Sequence, residues 1–280
     1  SIMWTDQIND FNYSVGGNIT YSRFWDWEQY KPRFSNSWDE YRNSIWHRVG
    51  YVNWGYEAIG RFDSWEQIAN YPVDNDRKGN RTVVPGDIMY KDQNNDGVIN
   101  YLDERPIGYR VDSTPTLNFG INLSASWKGF DLAMDWTGSG MTSWNQCYET
   151  ARPFQNDGNS PDEVLKDAWH LSDIWDANSP LIPGKYPMVR LNTDETSAYD
   201  KSSYWLHNVT YLKLRNLEVG YTFPKTWLNR TGISNLRLFV SGTNLLTLSN
   251  LSVMDPECAS DNGLDYPPMR VINIGVNLKF

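Results

Sequence analysis

Long apolar runs are missing from this chain. No stretch of its 280 residues approaches the roughly 20 apolar residues that a membrane helix needs, and mean hydropathy is −0.61. Helical membrane spans are excluded on that ground, but strand-built ones are not, because barrel strands alternate faces and average to low hydropathy. Basic residues are also scarce. Lys and Arg number 25 against 34 Asp and Glu, a net charge of −9, which argues against a nucleic-acid partner, since that requires a basic face. The three His are scattered and no Cys/His metal set appears, and two Cys in a chain this long do not make a disulfide scaffold. Cys147 and Cys258 leave two options open: one bridge in an oxidising compartment, or two unpaired thiols. No nucleophile motif and no phosphate-binding glycine loop is present. Carboxylates are plentiful, but spacing alone does not define a glycosidase pair. No catalysis is expected.

What the chain has instead is aromatic residues, 15% of the total with 14 Trp and 17 Tyr, and strict two-residue alternation. In "LNFGINLSASWKGFDLAMDWTG", Leu117, Phe119, Ile121, Leu123, Ala125 and Trp127 alternate with small or polar residues. Lys128-Gly129 then turns the chain, and Phe130, Leu132, Met134 and Trp136 continue the apolar face. A period of two is the pleat of a strand. The same pattern runs through "FNYSVGGNITYS", "NLRLFVSGTNLLT" and "RVINIGVNLKF". In "YLKLRNLEVGYTFP" the phase slips at Arg215-Asn216, as a bulge would make it do. Six strands are expected, over 11–23, 115–127, 129–140, 204–223, 235–247 and 270–280.

The connections are lopsided. Lys128-Gly129 and Pro224 to Ser234 are short, whereas 24–114, 141–203 and 248–269 are long. In an up-and-down meander the long ones all fall at one end, the asymmetry of an outer-membrane barrel with long extracellular loops. Soluble sandwich strands also alternate, but they usually span five or six residues, and a polar face of Asn, Ser, Gly and Asp suits a watery lumen. Six strands are too few to close a membrane barrel. The expectation is therefore the C-terminal part of a larger all-β barrel, either a cleavage product or a segment taken separately.

One stretch has a different character. In "KDQNNDGVINYLDE", Asp92, Asn94 and Asp96 take positions 1, 3 and 5 of a twelve-residue loop, with Gly97 at the sharp turn. Val98 offers a carbonyl at 7, Asn100 is at 9 and Asp103 at 12, with Glu104 beside it as a substitute. Hard oxygens at this spacing suit calcium or another divalent cation such as magnesium. Flanking helices are not expected, so the role would be structural rather than switching. Many Trp lie outside the expected strands or at their ends. Trp144, Trp175 and Trp205 are candidates for stacking on cargo, against the competing roles of loop core and interfacial girdle. Trp127, Trp136 and Tyr221, on apolar faces, read as lipid-facing. "SPDEVLKDAW" reads as a short helix capped by Ser160 with Pro161 at its first position.

The order of "GYVNWGYEAIGRFDSWEQIANYP", "PGDIMYKDQNNDGVINYLDERPIG", "TPTLNFGINLSASWKGFDLAMDWTGSG", "YWLHNVTYLKLRNLEVGYTFP", "LRLFVSGTNLLTLS", "MDPE" and "VNLKF" resembles the C-terminal portion of SusC/RagA-type TonB-dependent transporters. The match runs over nearly the whole chain. The resemblance implies a 22-stranded outer-membrane barrel of a Gram-negative bacterium, plugged by an N-terminal domain that this chain does not include. It implies energy from TonB through that missing part, a SusD-like surface lipoprotein as lid, and oligosaccharide or sometimes peptide cargo. It also implies that Phe280, ending an alternating strand, serves as a C-terminal signal for barrel insertion. The competing expectation is a soluble, calcium-stabilised glycan-binding β-domain; an adhesin barrel without transport is a third.

Overall fold

The computed structural model describes residues 1–28, 30, 32–50, 52–109, 115–191, 195–229, 232–258 and 262–280. Parts of all three expected long connections (29, 31, 51, 110–114, 192–194 and 259–261) and of the 224–234 connection (230–231) lie outside the described residues. Seven strands form one antiparallel sheet in chain order. They are β1 (Ile2–Ile8), β2 (Phe11–Tyr21), β3 (Leu117–Trp127), β4 (Phe130–Asn145), β5 (Leu206–Thr222), β6 (Asn235–Ser249) and β7 (Val271–Lys279).

The register places like with like. Phe11, Val15 and Ile19 of β2 face Trp127, Leu123 and Phe119 of β3. Leu132, Met134 and Trp136 of β4 meet Ala125, Leu123 and Ile121 on one side and Val219, Leu217 and Leu214 of β5 on the other. Every second residue therefore joins one apolar face, broken in β1 by Asp6, and that face is bare: Ile19 is 71% exposed and Ile274 is 84% exposed. Trp127, Trp136 and Tyr221 lie in its rows, as expected of lipid-facing residues. Near the short-turn rim, Phe130, Tyr221, Phe223 and Trp227 pack ring to ring, as residues of an interfacial girdle do.

Three turns close that rim. Lys128 and Gly129 both take positive φ, 47° and 91°, which matches the twist of a two-residue hairpin. Asn9 (φ 53°) turns β1 into β2, and a short helix, Lys225–Leu228, lies between β5 and β6. The three long connections leave from the opposite end.

Two expectations need correction. The sheet has seven strands, not six: β1 was hidden because Asp6 interrupts its apolar row, opposite Tyr13. The short helix spans Asp162–Lys166 with Pro161, not Ser160, at the cap; Pro161 is still extended (ψ 133°), so the helix begins one residue later. The phase slip in β5 is a bulge, with the register shifting between Leu214 and Asn216. Cys147 and Cys258 form no disulfide.

The long connections 24–114 and 141–203 fold together into one outer lobe. Tyr56, Ile88, Tyr90 and Ile99 from the first share a core with Val164, Ala168, Tyr186 and Tyr199 from the second and with Trp205, just before β5. A matched pair of substitutions separates the two faces of the sheet. In the full-length protein refolding into lipid vesicles, Leu123→Arg should cost about 2–4 kcal/mol in urea titration, and Ser124→Arg on the polar face far less.

Candidate functional site

The residues from Asp74 to Asp103 form a chain of side-chain-braced turns on the outer lobe. Asn75 is fully buried and acts as a strand mimic. Its Nδ2 donates to Ile88 O at 3.0 Å and its Oδ1 accepts from Tyr90 N at 3.0 Å. Asp76 closes the next turn, accepting from Lys78 N, Asn80 N, Thr82 N and Thr82 Oγ1 at 2.7–2.8 Å. Burial alone would raise its carboxyl, but these bonds outweigh that and hold it at about 2. Asp87, also fully buried, pairs with Arg190 at 2.8 Å, joining the two long connections.

The Asp92–Asp103 loop is stitched onto this turn. Asp74 N donates to Gly97 O at 2.8 Å, and Ile99 N to Asp74 O at 2.9 Å. Asp92 accepts from Asn95 N and Gly97 N at 2.6 and 2.8 Å. Gly97 has φ 82° with nothing within 4 Å of the Cβ position, so backbone conformation rather than space calls for glycine. Asp96 Oδ2 accepts from the side-chain amides of Asn94 and Asn100 at 2.9 and 3.3 Å. The side chains at loop positions 3, 5 and 9 thus converge. These contacts, the Asn94 amide first and then Val98 N–H, hold the Asp96 carboxyl below its usual range.

One carboxylate oxygen each of Asp92, Asp96 and Asp103 lies within 4.8 Å of the others. Calcium–oxygen bonds run about 2.3–2.6 Å, so this triangle fits around one ion. Asp103 is buried and braces the loop across its mouth, accepting from Gln93 N and Asn100 N, both at 2.8 Å. Val98 carries its carbonyl within 3.2 Å of Asn100 Nδ2. Glu104, the substitute, stands outside this triangle and ion-pairs with Arg42 at 3.0 Å. No helix precedes the loop. Ile88–Tyr90 enters it as a strand, and only a single helical turn, Tyr101–Asp103, follows.

The three Trp candidates differ. Trp175 stands 90% exposed at the tip of the 170–182 hairpin, where Trp175 N donates to Asp173 Oδ1. Trp205 is 1% exposed: Tyr186 and Tyr199 stack on it and its Nε1 donates to Ala198 O at 2.8 Å. Trp144 belongs to β4, is 4% exposed and stacks on His207. Those two rings are committed to the protein's own core and present no open face for cargo in this conformation. Asn75, Asp76 and the Asp87–Arg190 pair were missed from sequence, although the turn-rich "DNDRKGNRT" carries the Asx signal that marks such a brace.

No protein-family model matches the chain. It is 30% identical over 242 residues to TonB-dependent receptor P3 of Formosa agariphila, covering 80% of this chain and 22% of that receptor. It is 27% identical to TonB-dependent receptor P26 of the same organism, over 81% of this chain and 22% of the receptor. It is 24% identical to TonB-dependent receptor SusC of Bacteroides thetaiotaomicron, over 84% of this chain and 20% of SusC. The chain thus spans about a fifth of the length of these relatives. A solved structure of the RagAB peptide transporter superposes with TM-score 0.64 and 21% identity, over 99% of this chain and 28% of that one. The same TM-score is found for the RagAB peptide importer in its closed-closed state. The relatives are receptors and transporters, not enzymes, and the fold is that of outer-membrane β-barrel proteins.

The Asp76 brace has a pH signature. Because its folded value lies below the ordinary carboxylate value, its stabilisation is present above about pH 4 and is lost as pH falls toward 2. Asp76→Asn should remove on the order of 1–2 kcal/mol at neutral pH and flatten the acid limb. Protease sensitivity of the outer lobe, followed against pH, checks this.

Proposed function

We propose that this chain, a homologue of the TonB-dependent receptors that include SusC, supplies wall strands and outward loops of an outer-membrane nutrient importer. The observation that carries the reading is the seven-strand meander, with one bare apolar face and all its long connections at one end. On this reading the apolar face meets lipid and the polar face lines a water-filled conduit. The 24–114, 141–203 and 248–269 connections are extracellular. Energy comes from TonB through a plug carried elsewhere in the protein.

Cargo is oligosaccharide or peptide, passed from a SusD-like surface lipoprotein. Trp175 is the remaining candidate for an aromatic contact with cargo or lid, since its ring is open to solvent. A soluble glycan-binding domain does not account for an apolar face left uncovered across seven strands. The full-length protein should be recovered from detergent-solubilised outer membranes together with a surface lipoprotein. Recovery in the aqueous fraction without either would overturn the reading.

The Asp92–Asp103 loop takes calcium, or magnesium in its place, as a structural crosslink of the outer lobe. Asp92, Asn94, Asp96, Val98, Asn100 and Asp103 would hold it. Affinity in the 10⁻⁴–10⁻³ M range is ordinary for extracellular modules. Chelation should expose the 72–104 segment to protease, and Asp96→Ala should weaken calcium protection by about tenfold or more. Equal cleavage with and without calcium would remove the ion from the account.

A further inference from the structure

The last long connection does not simply leave the barrel rim. At its start Asn250 caps β5 with its side chain: Thr210 N donates to Oδ1 at 2.9 Å, and Nδ2 donates to Asn208 O at 2.7 Å. The main chain then turns onto the sheet, where Leu251, Val253 and Met254 pack on Trp144, Val209 and Tyr211. Tyr211 lies opposite Ser139 and Lys213 opposite Thr137, so this is the polar face.

The contact ends in an ionic cluster. Lys213 is 1% exposed. Its ammonium group donates to Asp255 Oδ1 at 2.6 Å, to Asp255 Oδ2 at 2.8 Å and to Glu257 Oε2 at 2.9 Å. An ammonium has three donors, and residues of the connection take them all. Arg215 pairs with the other Glu257 oxygen and also reaches Asn244 Oδ1 at 3.0 Å and Thr137 Oγ1 at 3.2 Å. The β5 bulge makes this possible by admitting Arg215 as an extra residue beside Asn216, which still pairs with Asp135. Asp255 also braces its own segment, accepting from Glu257 N at 3.0 Å, and Cys258 N donates to Asp255 O at 3.0 Å.

Two cations meet two carboxylates, so the cluster is neutral as a unit. Burial raises Glu257, but the bonds from Lys213 and Arg215 prevail and hold it below its ordinary range. A buried lysine is tolerated only when it is so paired.

We infer that residues 250–258 form a strap folded into the conduit and latched by Lys213 and Arg215, so that the passage at that level is lined by the strap rather than by β5. The inference rests on the import reading for its consequence, but the latch itself is a property of this sheet. Cargo would then pass over Ser252, Pro256 and their neighbours, and the width there would depend on whether the strap is docked.

The test is hydrogen exchange on the full-length protein in lipid, following the Glu257 and Cys258 amides. Lys213→Met should speed their exchange by about tenfold or more while β5–β6 ladder amides stay protected, and Lys213→Arg should remain within about twofold of the native protein. Glu257→Gln, milder because Asp255 still holds Lys213, covers the case in which Lys213→Met fails to insert; it should give an intermediate rate. Exchange that is already fast in the native protein, or unchanged in both Lys213→Met and Glu257→Gln, would overturn the latch. Exchange decides the latch, whereas recovery from the outer membrane decides the import reading, so the two can fail separately.

Discussion

Backbone hydrogen bonding is the constraint on which this structure turns. Inside hydrocarbon no water is present to satisfy an N–H or C=O, so a crossing chain must pair them all within itself or with neighbouring strands. A sheet does this with ladders between neighbouring strands, here 7 to 17 residues long, and its pleat then separates the side chains into two populations. One population is lipid-compatible. The other has to satisfy itself, and here it does so in rows across strands. Asn122 and Asn216 both donate to Asp135 from the strands on either side. Arg237 crosses the face of Gly220 to reach Asp131 and Glu218. A side chain at Gly220 would collide with that guanidinium, with a Cβ only 2.5 Å from Nη2, so the glycine makes room for the ion triad.

The outer lobe answers the same requirement with only short strand pairs and short helices. Its long segments bury polar backbone that no ladder serves, and short polar side chains take over. Asn75 completes a strand, Asp76 closes a turn, Asp103 ties the two ends of the metal-type loop, and Asp87 fastens one connection to the other through Arg190. The aromatic residues supply the remaining cohesion. Trp205, Tyr186, Tyr199 and Tyr204 pack as one ring cluster.

This division explains what could be read in advance. β2 to β7 were legible because period two is imposed residue by residue by local geometry, and even the β5 bulge showed as a slip in phase. β1 was not, since a single Asp6 breaks a seven-residue pattern. The Asp92–Asp103 loop was legible because its partners lie within a dozen residues. Trp144 and Trp205 could not be told apart from Trp175 in advance, because what covers them is distant in sequence or irregular. Lys213 was equally opaque: its partners lie 42 and 44 residues away. The only local sign is a lysine in an otherwise alternating strand, and it does not say what neutralises the charge.

The acidic balance of the chain then takes on a different meaning. A net charge of −9 suggests surfaces that would repel an anionic cargo. Yet Asp74, Asp76, Asp87, Asp92, Asp103 and Asp255 each accept hydrogen bonds from the protein's own backbone. On the polar face Asp131 and Glu218 share Arg237, and Asp255 and Glu257 are met by Lys213 and Arg215. Much of the excess is therefore structural charge consumed where turns and strands need acceptors. Selection of cargo by charge has to come from carboxylates that keep an open side, and counting acidic residues does not identify those.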